Sequence, residues 1–322
     1  VTALPGRRAV FGSIGAALLV ILMAATAAFS PVSLAVTRWV TVQVTDNAVE
    51  DRYFGDQKQV LSNGCAVWDA EVGGNGEIFA LQLVDGVIPQ TSDVVQITNN
   101  AVTDYFPTVS DDCFIAFRSS PVSSSSVVVL HDWTSEIWRS SGVSHVYSPQ
   151  INDNEHIVWS QWDPAVDESD LEIFLYNGAG AQQLTNNDWR DNHPQIADNG
   201  HVVWLGEGDI ADSEVFLYTG TPDPSALTVN DHYDDYPHIN NAGDVVWVEF
   251  AAAGSGAIMH YDGNTPETIY PAHVGNHYPH INDNNYVVWE GVLDGWQQAM
   301  MYDPRNGGSV YPLPIGSSHG YY

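Results

Sequence analysis

Short apolar runs of about four to six residues, broken by polar turns, recur along most of the chain. The apolar runs are rich in Val, Ile and Trp, as in "VVW" at 202–204, 245–247 and 287–289. The turns between them are rich in Asn, Asp and Gly, as in "ADNG" (197–200), "NNAG" (240–243) and "SNG" (62–64). β-branched and aromatic residues suit a half-buried pleated strand, and Asn, Asp and Gly suit tight hairpins that need positive φ. The spacing is regular. Pro107, Pro149, Pro194, Pro237 and Pro279 follow one another at steps of 42, 45, 43 and 42 residues. An aromatic residue stands ten positions after each proline: Phe117, Trp159, Trp204, Trp247 and Trp289. A sixth, more divergent copy has Lys58 in the proline position and Trp68 at its end.

After each aromatic comes a variable loop, then a third apolar run: "EIFAL" (77–81), "VVVL" (127–130), "EIFLY" (172–176), "EVFLY" (214–218), "AIMHY" (257–261) and "AMMYD" (299–303). A fourth short run follows, as in "VVQIT" (94–98), "AQQLT" (181–185), "SALTV" (225–229) and "SVYPL" (309–313). Four short strands per period of roughly 43 residues, in tandem, predict an all-β fold, a six-bladed β-propeller of four-stranded antiparallel blades. A single blade cannot cover both faces of its sheet, so the faces are apolar and the repeated aromatic fills the wedge between neighbours. Segment 39–45, "WVTVQVT", reads as one more fourth strand than six blades require. A missing seventh blade is the alternative to an extra edge strand.

The pattern Asp-x-x-Pro-x-Ile-x-Asp-x-Gly-x-x-Val-x-Trp, followed by Glu-Ile-Phe-Leu-Tyr and Gln-Leu-Thr-Asn, resembles the TolB-type propeller repeat. The resemblance extends from about Trp39 to Leu313. It implies the propeller; propellers of this type serve many functions. The additional α/β domain that precedes the propeller in TolB has no counterpart between Ala35 and the first repeat.

Composition narrows the function. The chain carries 40 acidic residues against 9 Lys plus Arg, a formal net charge of −31, and Lys58 is its single lysine. Such a charge repels nucleic-acid phosphates and anionic lipid surfaces, so nucleic acid is excluded as a partner. Three readings of the acidity remain: a hydrated soluble surface, loose binding of divalent cations, and recognition of a basic partner. The N-terminus reads as an export signal, with Arg7 and Arg8 before an uncharged apolar stretch from Val10 to Phe29, and small residues at Ser33-Leu34-Ala35. Residues 1–35 are therefore expected to be a signal peptide or, as the alternative, an uncleaved membrane anchor, and 36–322 the propeller. Localisation follows: periplasmic, cell-surface or extracellular. The two cysteines, Cys65 and Cys113, fall at nearly the same repeat position in blades one and two, and a disulfide stapling those blades is expected.

Candidate chemistry lies next to the prolines. Three residues before them stand Asp104, Val146, Asp191, Asp234 and Asn276. In a propeller these inter-blade loops converge on one channel mouth, where carboxylates would hold Ca²⁺ or another divalent cation, or attract a basic peptide. The competing reading is that they hydrogen-bond their own loops, and recurrence in successive blades favours it. His145, His193, His232, His238, His273, His277 and His280 fall in or near the same loops, and His238 and His280 directly follow their prolines. They suggest a metal pair or a pH-sensitive patch; Thr108, Gln150 and Gln195 take that position elsewhere. The acidic loops 162–172 and 206–214 lack EF-hand spacing. "GSSHG" (316–320) matches a hydrolase elbow only on paper. The ligand positions expected from the repeat are Asp104, His145, Asp191, His193, Asp234, His238, Asn276 and His280. They describe a monomeric binding or scaffold propeller for a protein, peptide or glycan, with no cofactor other than a divalent cation. The alternatives are a metal-assisted lyase or hydrolase with a His/Asp cluster, and a structural envelope protein.

Overall fold

The computed structural model describes residues 51–52, 64–82, 93–122, 125–141, 145–162, 170–208, 212–221, 224–252 and 254–313. The expected signal segment, the strand 39–45, Lys58 and "GSSHG" all lie outside the described residues, as does most of the acidic loop 162–172 and part of the loop 206–214. Among the described residues there are six four-stranded antiparallel sheets, each built from four consecutive strands. The protein is a six-bladed β-propeller. Blade four shows the plan: Arg190–Ile196, Val202–Glu207, Ser213–Tyr218 and Ser225–Ala226, from the innermost strand outward. Among the described residues no helix is long and apolar enough to cross a membrane.

The repeated aromatic performs the wedge role. Trp159, Trp204 and Trp247 are each at most 1% exposed. Each indole packs backward onto the preceding blade: Trp159 against Ala116, Val128 and Leu130, Trp204 against Val158 and Ile173, Trp247 against Val203, Leu205 and Val215. Removing such a ring from a packed core costs about 3–5 kcal/mol. The face of blade six that points away from blade five is more open: Val288 is 37% exposed and Glu290 is also exposed. Cys65 and Cys113 are joined, with Cα atoms 5.8 Å apart, inside the core shared by blades one and two.

Two features bind blade to blade beyond apolar packing. The first is a belt along the turns that join first and second strands. Asp153 Oδ1 accepts the backbone N–H of Asp111, Asp198 that of Asp153, Asn241 that of Asp198, and Asp283 that of Asn241, at 2.6–2.9 Å. The second is polar. In blades one, three and four the glutamate that begins the third apolar run is buried: Glu77, Glu172 and Glu214. Each accepts the backbone N–H of the asparagine ahead of the next blade, Asn100, Asn187 or Asn230. Thr98, Thr185 and Thr228 accept the N–H of Ile78, Ile173 and Val215 through Oγ1, substituting for a ladder bond. The Glu-Ile-Phe-Leu-Tyr and Leu-Thr-Asn signatures are thus the two halves of one junction.

In the first blade, Asp51 pairs with Ala70, two residues past Trp68, as Asp104 pairs with Ser119, two past Phe117. The strand register therefore puts an acid in the first blade at the same repeat position as Asp104.

Candidate functional site

The residues three before each proline are not at an open mouth. Asp104, Val146, Asp191, Asp234 and Asn276 are each at most 1% exposed. This corrects the expectation of a solvent-facing carboxylate ring. Asp191 accepts the Trp204 indole N–H at 2.9 Å and the Asn187 side-chain amide at 2.8 Å. Gly206 lies directly opposite Asp191 in the ladder, and a Cβ there would meet Asp191 Oδ1 at 3.0 Å. The missing side chain is what lets the carboxylate reach the indole. Asp104 accepts from the Asn100 amide at 2.8 Å. Asn276 donates to the Gly256 carbonyl at 2.7 Å. Burial pushes the Asp191 carboxyl up to about 6, against the pull of hydrogen bonds from Asn187, Thr185 and Trp204. Asp234 rises to about 8, chiefly through burial, with Glu249 and Glu214 adding repulsion. Glu172 rises to about 7 for the same leading reason. Among the described residues no three His, Cys, Asp or Glu side chains are grouped to bind a metal.

The channel is lined instead by a backbone irregularity. In blades two to six the ladder between the first two strands shifts register at the proline. In blade four, Asn192 pairs with Leu205 and Gln195 with Val203, so His193 and Pro194 together face Trp204. That is a β-bulge. The residue before each proline takes a left-handed conformation: Phe106 (φ 55°), Ser148 (48°), His193 (51°), Tyr236 (57°) and Tyr278 (53°). A non-glycine residue in that region is strained by roughly 1–2 kcal/mol, and its repetition at one structural position marks a device of the fold. The bulge turns the residue before the proline and the residue after it toward the same space. A cavity of about 480 Å³ results, lined by Phe106, Ser148, His193, Tyr236 and Tyr278, and by Gln150, Gln195, His238 and His280, with Glu207, Tyr233 and Asp235 at its side.

Of the expected positions, the structure therefore brings His193, His238 and His280 together on the cavity. The imidazoles of His238 and His280 meet edge to face at 4.5 Å, and His238 Nδ1 accepts the Ile281 N–H at 3.3 Å. His193 is held through Nδ1 by Asn192 Oδ1 at 2.8 Å. His145 stands apart, stacked on Trp162. His232 pairs with Glu249, His273 is exposed beside the Val274 carbonyl, and His277 sits between Tyr236 and Phe250. Reading the sequence alone missed Phe106, Ser148, Tyr233, Asp235, Tyr236, Tyr278 and Glu207. For the residues before proline a signal existed: that position varies (Phe106, Ser148, His193, Tyr236, Tyr278) while the proline after it is constant.

Fold and site together define a β-propeller whose central cavity is built from variable residues on a constant bulge. No family model matches the chain, and no curated protein matches it. Among solved structures it is similar to an oligogalacturonate lyase in complex with manganese, at 13% identity and a TM-score of 0.60, over 86% of this chain and 81% of that one. A prolyl endopeptidase superposes with a TM-score of 0.59 at 12% identity, over 79% of this chain and 42% of that one. At these identities the likeness shows the fold. TolB from Acinetobacter baumannii, at 13% identity, covers 75% of this chain and 60% of its own with a TM-score of 0.48, which adds nothing to that.

Proposed function

We propose that this is an exported, TolB-type binding propeller that takes a peptide or glycan ligand in the bulge-lined channel. The observation that supports it most is the arrangement of that channel: strained positions spent on Phe106, His193, Tyr236 and Tyr278, whose side chains face one shared cavity. Strain retained at several symmetry-related positions is spent on presenting side chains, and aromatic and amide groups are what peptide and glycan sites use. The apolar N-terminal stretch and the Cys65–Cys113 pair support export to an oxidising compartment. Thermal unfolding in the presence of short peptides, neutral oligosaccharides and oligogalacturonate tests the reading. At least one of them is expected to raise the midpoint of the wild type and not of Tyr278→Ala. If none does, the binding role fails and a structural envelope role takes its place.

A metal-assisted lyase reading is favoured by one feature, the His238–His280 contact, together with the likeness to a lyase that carries manganese. The donor set does not fit that group as it stands. Two imidazoles meet, and among the described residues no third His, Cys, Asp or Glu completes a site with them.

A further inference from the structure

On one side of the cavity three of the lining side chains are of one chemical kind. Tyr233, Tyr236 and Tyr278 all line it, with Tyr236 and Tyr278 rings 4.4 Å apart and tilted by 53°. Phe106 faces the same space. Two of these rings are well exposed toward it, Tyr233 at 39% and Tyr278 at 43%. Two carboxylates accompany the rings, Glu207 and Asp235. Glu207 is engaged by Arg190 at 3.1 Å and by the Asn192 amide at 2.9 Å. Asp235 accepts the Tyr236 backbone N–H at 2.8 Å, and its charge acts on the Tyr236 phenol. No Lys or Arg lines the cavity among the described residues. The phenols of Tyr233 and Tyr236 are pushed up, mainly by burial and then by the charge of Asp235, so they stay neutral.

Aromatic faces with a carboxylate beside them attract an organic cation, because each ring presents a negative face. A phosphate or uronate ligand would meet only the imidazoles of His193, His238 and His280 on the cavity wall, while Arg190 is engaged behind Glu207. The net charge of −31 adds long-range steering of cations toward the molecule.

We infer that the tyrosine-lined side of the channel binds an alkylammonium group, with the touching pair Tyr236 and Tyr278 as its aromatic wall and Asp235 as the counter-charge. This rests on the channel being a ligand site, as proposed above. The same head group occurs on a small quaternary amine and on a trimethylated lysine side chain of a peptide. The chemistry of the site is shared, and the experiment separates the two sources.

Calorimetric titration of the whole protein at low and high salt would use four probes: tetramethylammonium, a short peptide bearing one trimethyllysine, the same peptide with norleucine in its place, and a neutral oligosaccharide. Binding of tetramethylammonium or the trimethyllysine peptide is expected, weakened about tenfold or more in Tyr236→Ala and in Tyr278→Ala. A smaller loss is expected in Asp235→Asn. Tyr278→Phe keeps the ring and is expected to bind as the wild type, which separates loss of the wall from loss of folding. A response to tetramethylammonium alone assigns a small amine; a stronger one to the trimethyllysine peptide assigns a peptide side chain. Equal binding of the norleucine peptide, or cation binding unchanged in both alanine variants, overturns the inference. If the neutral oligosaccharide binds and neither cation does, the inference falls while the ligand site stands. If nothing binds, both fall.

Discussion

Asp234 offers a quantitative test of how the blades are joined. It is fully buried between blades four and five, beside Glu214 and Glu249, and its carboxyl is pushed up to about 8, first by burial. In the unfolded chain the same group ionises near pH 4. An acid raised in this way leaves stability intact below its unfolded value, and stability is lost as pH rises through the interval up to the folded value. The folded protein keeps a proton that the unfolded chain releases, so unfolding is favoured at higher pH. One pH unit within the interval is worth about 1.4 kcal/mol, so Asp234 alone removes about 3 kcal/mol of stability between about pH 5 and pH 7. Glu172, at about 7, and Asp191, at about 6, act in the same direction, and relief of the −31 net charge adds to it. The substitution that isolates Asp234 is Asp234→Asn. The amide has the same shape, can accept from Trp247, and is neutral at every pH. Its stability relative to wild type should therefore grow by about 3 kcal/mol from about pH 5 to pH 7. Urea unfolding followed by tryptophan fluorescence measures both proteins under identical ionic strength. Parallel pH profiles would refute the reasoning, because they would mean that Asp234 ionises alike in the folded and unfolded states.

Three further outcomes follow from the geometry. Reduction of the Cys65–Cys113 bond, or its replacement by Ser at both positions, frees a loop spanning 48 residues and should cost about 4 kcal/mol, read as a drop in the thermal midpoint under reductant. His193→Gly should raise stability by about 1 kcal/mol by relieving the left-handed strain, whereas His193→Ala should give no such gain; denaturant midpoints compare the two. Gly206→Ala would place a Cβ 2.6 Å from the Phe216 ring and 3.0 Å from Asp191, and is expected to cost about 1–3 kcal/mol in the same assay.

The blade plan was legible because it rests on period and turn chemistry, both of which are local. The prolines, the aromatics ten residues later and the Asn/Asp turns fall in the blades as read. The channel was not legible, for a physical reason. A strand's side chains alternate between faces with period two, and a bulge breaks that alternation without leaving a mark in composition. Glycine would have announced a positive φ; Phe106, Ser148, His193, Tyr236 and Tyr278 did not. For the same reason Asp104, Asp191 and Asp234, placed at a mouth by counting from the proline, lie instead in the walls between blades. His238 and His280 were found because they sit on the far side of the bulge, where the count resumes.

The belt of turn hydrogen bonds has a direction. In every link the acceptor side chain comes from the later blade and the backbone donor from the earlier one. Each turn is therefore both a plug and a socket, of one gauge, in series. A blade lifted out of the middle takes with it the acceptor its predecessor used and leaves its successor's side chain facing the next matching N–H along the ring. Duplication or loss of a whole repeat keeps every joint of the same kind, while loss of part of one leaves a mismatched joint. Lengthening such a protein by whole repeats is chemically simple, and the unit of change is the blade rather than the strand.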